Sequence, residues 1–497
     1  MEYFINCNTG SLAPYNTPLD RSKAAHLYRR LGFSASAATI DQAEGQNAGT
    51  LVDNLINQAI NQAPIAAPTW ANWNNSNYPE DDQQRDAMVR QQKGEFSLAY
   101  ANQMLDNNLR DRLSFFWSNH FVTQLEVYNC NSFLYHYIDC LQRNSLGNFK
   151  TFVSEIGLTS AMLYYLDGVY NNGNNPNENY ARELYELFTL GEGIGYTEED
   201  IIETAKALTG YVERGELGCE QVTFRADRHD EGPKTIFGQT GNWGYDDVID
   251  ILFEQRPNEI ADFICRKLYE FFVHPDSKDA AGNAQTIIDG MAATFLSNNF
   301  EIAPVLSQLF KSQHFYDDEA IGVIIKSPYD LYFNLLKESS FNRTDTTVET
   351  VINYSGLLSQ VMFNPFDVNG WQRDRTWINT NFMIGRWLTI ESMLEEFFDE
   401  DPEQFRNLGL SLTGMDGMTS NNPDIIARAI IDFILPKGLL NESEYDKAYT
   451  VFRSDVQEQY YEGGSTPTWT LQTSMEGPSQ VYLLLQYLGR QPEFQLK

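Results

Sequence analysis

Apolar residues recur along most of the chain with the period of an amphipathic α-helix. In the stretch Asn175–Thr209, two such helices are predicted on either side of a glycine-rich turn. Asn175 is predicted to cap the first helix, and Gly191 to end it. Thr197 with Asp200 forms the capping signature of the second. The predicted buried stripe of the first helix is Ala181, Leu184, Tyr185 and Phe188.

The helical pattern is interrupted in two places. Residues 62–84 combine prolines with asparagines and are predicted to form a surface loop, in which Trp70 and Trp73 either pack on the body or stand ready for stacking. Residues 211–245 are rich in glycine and alternate like an extended hairpin. We therefore predict a mainly α fold, with one large multi-helix domain and a short β-hairpin insertion near 211–245.

The length of 497 residues allows about three average domains or one large helical domain with an insertion. Five regions are predicted, and together they are expected to form one continuous domain. They are an N-terminal arm at 1–21, a helical region with the central motif at 22–210, a β-rich insertion at 211–245, a helical region ending in an aromatic loop at 246–390, and a C-terminal helical region at 391–497.

The charged residues of the first central helix divide into two groups. Glu178, Arg182 and Glu186 are four residues apart, so they are expected to pair along one face. Glu183 falls between two leucines and is expected to be drawn toward the interior, where burial raises the pKa of a carboxyl group. Glu178, Arg182 and Glu183 are thus candidates for a catalytic site, and structural ion pairing is the alternative.

His120 is a second candidate for catalysis. A helix is predicted from about Phe96 through Phe115–Phe121, and it places His120 on the apolar face. A histidine in that position is more often a satisfied core residue. The catalytic interpretation requires its helix to pack against the one that carries Glu183, so that Asn119 contributes to the same polar site.

The insertion carries a candidate metal site. Asp227 and His229 are two apart on a predicted strand, so they project to one face, and Asp230 could complete a set of ligands. Acidic turns of this composition are also common without metal. Lys234 follows the turn and is a candidate for substrate binding.

An aromatic loop is predicted at 363–388. Asparagine, aspartate and glycine separate its aromatic residues, which include Trp371 and Trp377. Such a loop either clamps helices together or lines the floor of a pocket, and in the second case both tryptophans and Asn119 would contact substrate.

Composition limits the possible partners and compartments. The net charge of −33, from 68 acidic and 35 basic residues, argues against nucleic acid or an anionic membrane surface as a partner. No apolar run approaches the roughly 20 residues that span a bilayer. The first twenty residues lack the features of a secretory signal, which predicts a cytoplasmic location, with the envelope as the alternative if the N-terminus is processed. The five cysteines include no C-x-x-C pair, so reduced thiols are predicted.

Six passages together resemble the bacterial family known as domain of unknown function 1800. They are Lys23–Phe33, Phe115–Phe121, Asn177–Gly210, Arg228–Gly238, Val368–Thr380 and Pro492–Leu496. The resemblance implies a helical fold and a sulfatase-like or phosphatase-like companion, domain of unknown function 1501, often encoded beside it. Many members carry an export signal, whose features the first twenty residues here do not show. Where many relatives read W-H-N-H-F, this chain has Ser118 in place of the first histidine, which disfavours a two-histidine metal site.

These observations favour a hydrolase-type enzyme acting on a glycan or glycoconjugate. In this hypothesis His120 and Glu183 form a buried acid/base pair, and Arg182 orients the substrate. The first alternative is a non-catalytic helical scaffold or maturation partner of the sulfatase-like companion. The second is a metal-dependent hydrolase, and a divalent metal is the one cofactor that these residues suggest. The oligomeric state stays open.

Overall fold

Helices account for most of the residues that the computed structural model describes, which are 11–212, 218–277, 282–462 and 468–497. Before the insertion the helices are α1 (Arg21–Leu31), α2 (Ala37–Ala43), α3 (Ala48–Ile60), α4 (Asp82–Asp106), α5 (Leu109–Ser118), α6 (Leu125–Tyr128), α7 (Asn131–Asn144), α8 (Phe149–Gly157), α9 (Ser160–Tyr165), α10 (Asn179–Glu183), a π-helix (Leu184–Thr189) and α11 (Glu198–Ala207). After the insertion they are α12 (Tyr245–Gln255), α13 (Pro257–Phe272), α14 (Asn283–Ser297), α15 (Ile302–Phe310), α16 (Pro328–Ser339), α17 (Asp345–Leu357), α18 (Thr380–Glu400), α19 (Glu403–Thr413), α20 (Met415–Thr419), α21 (Pro423–Ile434), α22 (Glu442–Arg453) and α23 (Gly477–Gly489). Short 3-10 helices lie at Asn75–Asn77, Gly168–Tyr170, Ala226–Arg228, Asp318–Ala320, Asp374–Ile378, Glu458–Tyr460 and Pro492–Gln495. The predicted mainly α fold is confirmed.

Helix α4 starts earlier than apolar spacing predicted. It begins where Asp81 accepts a hydrogen bond from the backbone N–H of Gln84 at 2.9 Å, so the expected start near Phe96 was wrong. Capping chemistry decided the boundary, because an N-cap carboxylate satisfies a helix N–H whatever the hydrophobicity of the first turns. In the preceding loop Trp70 is buried against Phe96, and Trp73 packs on Tyr78, so both indoles pack on the body.

The central motif folds into two helical segments, as predicted, but the first starts later. Asn175 does not cap this helix, because α10 begins at Asn179. The backbone N–H of Asn179 donates a hydrogen bond to Asn177 Oδ1 at 2.9 Å. The helix then continues as the π-helix, whose i→i+5 bonding is uncommon and frequent at functional sites. Thr197 and Asp200 form the predicted capping box of α11.

The β insertion consists of two small antiparallel sheets. Strand β1 (Tyr211–Val212) pairs with β2 (Thr223–Phe224), and β3 (Lys234–Ile236) pairs with β4 (Gln239–Gly241). The second pair turns through Phe237 and Gly238, both at positive φ (47° and 79°), which matches a tight hairpin turn. The predicted insertion is confirmed, although it forms two ribbons and not one extended hairpin.

Buried apolar side chains form a continuous core that extends from Leu19 to Phe494. The predicted stripe of the central helix, Ala181, Leu184, Tyr185 and Phe188, is buried within it. None of the described helices is both long and apolar enough to cross a membrane.

A disulfide joins Cys130, at the start of α7, to Cys219, which lies within the insertion between β1 and β2. The prediction of reduced thiols was therefore wrong for this pair. The number and spacing of the cysteines do not reveal this disulfide, because the two cysteines are 89 residues apart and meet only in the folded chain. Cys140 and Cys265 are buried free thiols, and Cys7 lies outside the described residues.

Candidate functional site

His120 follows the last turn of α5 and is buried against the π-helix and α13. Its Nε2 lies 3.0 Å from the carbonyl oxygen of Phe188, and its Nδ1 lies 3.2 Å from Nζ of Lys267. Because a carbonyl oxygen only accepts, Nε2 carries the proton and Nδ1 accepts from the lysine. Burial and the neighbouring Lys267 hold the pKa of His120 well below its ordinary value, so the ring is neutral.

Lys267 is fixed by the end of the π-helix. The last carbonyls of a helix lack intrahelical donors. Here the carbonyl of Leu187 accepts from Lys267 Nζ at 3.2 Å, and that of Phe188 accepts from His120. Burial, followed by repulsion from Arg373, lowers the pKa of Lys267 to about 7. Proton uptake and release by this amine are therefore shifted toward neutral pH.

The aromatic loop is clamped to the residue before His120. Asn119 Oδ1 accepts a hydrogen bond from the backbone N–H of Trp371 at 2.6 Å. Gly370 makes this approach possible, because its φ is +89° and a Cβ there would lie 2.2 Å from Asn119 Oδ1. Trp371 also stacks on Phe115, with ring centroids 5.0 Å apart. The loop is thus held against α5, and it also forms one wall of a pocket.

We call that pocket the Trp371 cleft. It has a volume of about 150 Å³ and lies between α5, α13, the start of α16 and the aromatic loop. Trp377 is a second aromatic wall, and Glu270 and Asp374 bring carboxylates from two different elements. Its lining is Arg112, Phe115, Phe116, Asn119, Lys267, Glu270, Phe271, Pro275, Ile324, Ile325, Ser327, Asp330, Gln360, Trp371, Gln372, Arg373, Asp374, Trp377 and Lys497.

A second hollow, the Lys267 cavity, adjoins this cleft. It has a volume of about 180 Å³ and shares three lining residues with the cleft, Asn119, Lys267 and Arg373. The remaining lining residues are His120, Leu187, Val368 and Asn369. The two hollows are therefore neighbours, and we treat them as one candidate site.

One end of the Trp371 cleft is built by a buried ionic triad. Asp330 accepts from Arg112 Nη1 and from Lys497 Nζ, both at 2.6 Å. The Arg112 guanidinium also lies over the rings of Phe33 and Phe271, at 4.5 and 4.6 Å. These contacts hold the charged end of the cleft rigid, because each group is fixed by more than one partner.

A family model described as Protein of unknown function (DUF1800) matches residues 26–496 of the chain. The chain belongs to this family. Comparison with curated proteins and with solved structures finds no match. Nearly all of the site in this DUF1800 chain falls inside the matched range, with Lys497 just beyond it.

In this DUF1800 chain, Glu183 lies away from both hollows. It is partly buried and faces Tyr165, and no hydrogen bond or ion pair to it occurs within the described part of the chain. Burial, with Glu186 as the second cause, raises the pKa of Glu183 to about 7, as expected. The structure does not bring Glu183 and His120 together as the pair that the sequence analysis favoured.

Glu178 and Arg182 belong to an ion-pair ladder. Arg182 contacts Glu178 at 3.2 Å and Glu186 at 3.4 Å, which confirms the predicted pairing. Its guanidinium also pairs with Glu198 of α11, a partner that local spacing could not show. The ladder ties α10 to α11 and does not line either hollow.

The candidate metal ligands contact other partners. Asp227 pairs with Arg225 at 2.8 Å, and His229 Nδ1 lies 2.9 Å from the carbonyl oxygen of Thr209. The buried amine of Lys234 lies 3.7 Å from Asp230 Oδ1. Within residues 11–212, 218–277, 282–462 and 468–497, no three histidine, cysteine or acidic residues are grouped as metal ligands. Lys234 lies outside both hollows.

Sequence reasoning identified part of this site and missed its charges. The binding candidates Asn119, Trp371 and Trp377 line it, and so does His120, which was predicted as a catalytic residue. Lys267 and Glu270 were missed, because on an amphipathic helix a partly buried lysine and glutamate look like ordinary surface residues. Arg373 and Asp374 could have been identified from the sequence, since they lie inside Val368–Thr380, one of the six passages that carry the family resemblance.

Proposed function

We propose that this chain is a hydrolase-type enzyme that acts on a glycan or glycoconjugate in the Trp371 cleft. The observation that carries the proposal is the pair of carboxylates, Glu270 and Asp374, contributed by separate elements to a cleft with aromatic walls. Glycoside hydrolysis uses two carboxyl groups on either side of the scissile bond. The faces of Trp371 and Trp377 suit the apolar faces of sugar rings.

The acid/base pair in this proposal differs from the one expected from the sequence. His120 Nδ1 is occupied by Lys267 and its Nε2 by a carbonyl, so neither nitrogen is free to exchange a proton with substrate. In the proposed reaction the oxygen of a water molecule forms a bond to the anomeric carbon as the bond from that carbon to the leaving oxygen breaks. Glu270 takes a proton from the attacking water, and the protonated form of Asp374 gives its proton to the leaving oxygen. Glu270 is held by Ser277 Oγ, which donates to it at 2.6 Å.

Glu270→Gln is expected to lower kcat/KM by about 100-fold, because an amide cannot take a proton from water. The measurement is release of reducing ends from a panel of glycans, with folding followed by circular dichroism. Glu259→Gln is the matched control, since it lies on the same helix outside both hollows and should retain activity. Full activity in folded Glu270→Gln and Asp374→Asn variants would refute the proposal.

A non-catalytic role as scaffold or maturation partner of the sulfatase-like companion is the second candidate. It is favoured by apolar side chains exposed where α17 meets α18, Leu357 at 73%, Ile384 at 48% and Leu388 at 61%. Exposed apolar patches commonly mark protein interfaces. Metal-dependent hydrolysis gains no such support, because its three candidate ligands have other partners.

Leu388→Asp is expected to weaken binding of the companion by about 30-fold, since it replaces an exposed apolar side chain of this surface with a charge. Co-purification and calorimetry with the companion measure the effect. Leu440→Asp is the control, because Leu440 is also exposed, at 81%, and lies elsewhere. Equal binding by both variants would exclude this surface, whereas the hydrolase proposal would be unaffected.

The compartment is also a matter of proposal. Disulfides such as Cys130–Cys219 are typical of oxidising compartments and rare in the cytosol. We therefore favour the envelope over the cytoplasm, and fractionation of the native host with an antibody to the chain would test it.

A further inference from the structure

The Lys267 cavity has an unusual set of charges for this protein. The chain carries 68 acidic residues against 35 basic ones. The seven residues that line the cavity nevertheless include two cations, Lys267 and Arg373, and no carboxylate. The remaining polar groups are two asparagines and the neutral His120. The lining is therefore positive in a strongly negative chain.

Among the described residues, several hydrogen-bond donors of this lining have no protein acceptor. The exposed side chain of Arg373 makes no hydrogen bond or salt bridge there, so its five N–H groups are available to a ligand. In its protonated form Lys267 uses two of its three N–H groups, on His120 and on the Leu187 carbonyl. The amide nitrogen of Asn119 likewise has no acceptor among the described residues, because only its oxygen is bonded.

Arg373 repels the Lys267 ammonium and lowers its pKa. Among the described residues, Glu270 in the adjoining cleft is the carboxylate that raises the pKa of both side chains. A bound anion would offset this repulsion and accept the free N–H groups. Charge-assisted hydrogen bonds to an oxyanion are among the strongest polar contacts in proteins.

We propose that the Lys267 cavity binds an anionic oxygen group of the substrate, a carboxylate, sulfate or phosphate, so that the substrate is an acidic glycan. Asn119, Lys267 and Arg373 line both hollows. A ligand can therefore place its charged group in the cavity and its sugar rings in the Trp371 cleft. The inference uses the site of the proposed function and does not depend on which carboxylate carries out the reaction.

The site predicts a link between binding and protonation. The charged or titratable groups that face Lys267 are His120 from the end of α5, Arg373 from the aromatic loop and Glu270 from its own helix. Because burial and Arg373 lower the pKa of Lys267 to about 7, anion binding should draw a proton onto its amine. Affinity should then fall by up to about tenfold per pH unit above about pH 7.

Calorimetry on the full chain tests this with sodium sulfate, sodium phosphate and glucuronate, and with glucose as the uncharged probe. The three anions are expected to bind, whereas glucose, which carries no charge, is not expected to bind. Arg373→Gln is expected to weaken anion binding by at least about tenfold, because it removes a charge-assisted contact. Arg375→Gln is the matched control, since this exposed arginine lies on the same loop outside both hollows. The three anions compared with one another identify the preferred group.

Two results would overturn the inference. One is that none of the three anions binds. The other is that Arg373→Gln and Arg375→Gln weaken anion binding equally, which would indicate unspecific electrostatic attraction between the anions and the protein surface. The Glu270→Gln variant separates this inference from the proposed reaction. If that variant loses hydrolysis while anions fail to bind, only the anion site is wrong; if anions bind and the variant stays fully active, only the proposed reaction is wrong.

Discussion

Replacing Asp330 with asparagine is expected to lower the free energy of unfolding by about 3–5 kcal/mol. Asp330 is buried and its carboxylate accepts from both Arg112 and Lys497 at 2.6 Å. It also caps α16 through the backbone N–H of Ser327 at 3.2 Å. The amide would leave the buried side chains of Arg112 and Lys497 without their counter-charge, which costs far more than an exposed ion pair contributes.

The same residue sets a pH dependence. Burial opposes ionisation of Asp330, but Arg112 and Lys497 outweigh it and hold its pKa well below the usual range. Since the folded pKa is depressed, the stabilisation is complete above the ordinary aspartate pKa of about 4 and is lost as pH falls below it. The difference in stability between wild type and Asp330→Asn should therefore shrink in acid.

Urea denaturation at neutral and acidic pH measures both effects. Glu442→Gln is the control, because Glu442 forms an exposed pair with Arg428 and should change the free energy of unfolding by less than about 1 kcal/mol. If Asp330→Asn lowers the free energy of unfolding by no more than the control does, the triad does not stabilise the fold.

Removing the Cys130–Cys219 disulfide with a double serine variant is expected to lower the free energy of unfolding by about 2–5 kcal/mol. The bond closes a sequence separation of 89 residues, so it strongly restricts the unfolded chain. It also ties the segment after β1 to α7, where Ser132 Oγ donates to the Cys219 carbonyl at 3.5 Å.

A reducing agent provides the internal control. Wild type should lose the same stability when reduced, whereas the double serine variant should be unaffected by reductant. Thiol titration of the denatured, unreduced protein should find at most three of the five cysteines free. Five free thiols, or equal stability of wild type with and without reductant, would contradict the assignment.

The success of sequence reasoning depended on how local each interaction is. The Thr197–Asp200 capping box and the Arg182 ladder were predictable, because their members are three or four residues apart and helix geometry brings them together. The start of α10 was not, because Asn175 is a residue type that suits a cap and yet the helix begins only at Asn179. Glu183 was correctly expected to be partly buried. Its neighbours in space, such as Tyr165, lie on other helices and could not be predicted from the pattern of its own helix.

The amino-acid sequence by itself determined the mainly α class, the β insertion, the family and several helix boundaries, because periodicity and capping act within a few residues. Only the tertiary structure decided which polar groups share a site. Lys267 and His120 are 147 residues apart, and Asn119 and Trp371 are 252 apart. The period of a helix shows which face is buried, but not which helix covers it. The charge of the Lys267 cavity therefore follows from packing.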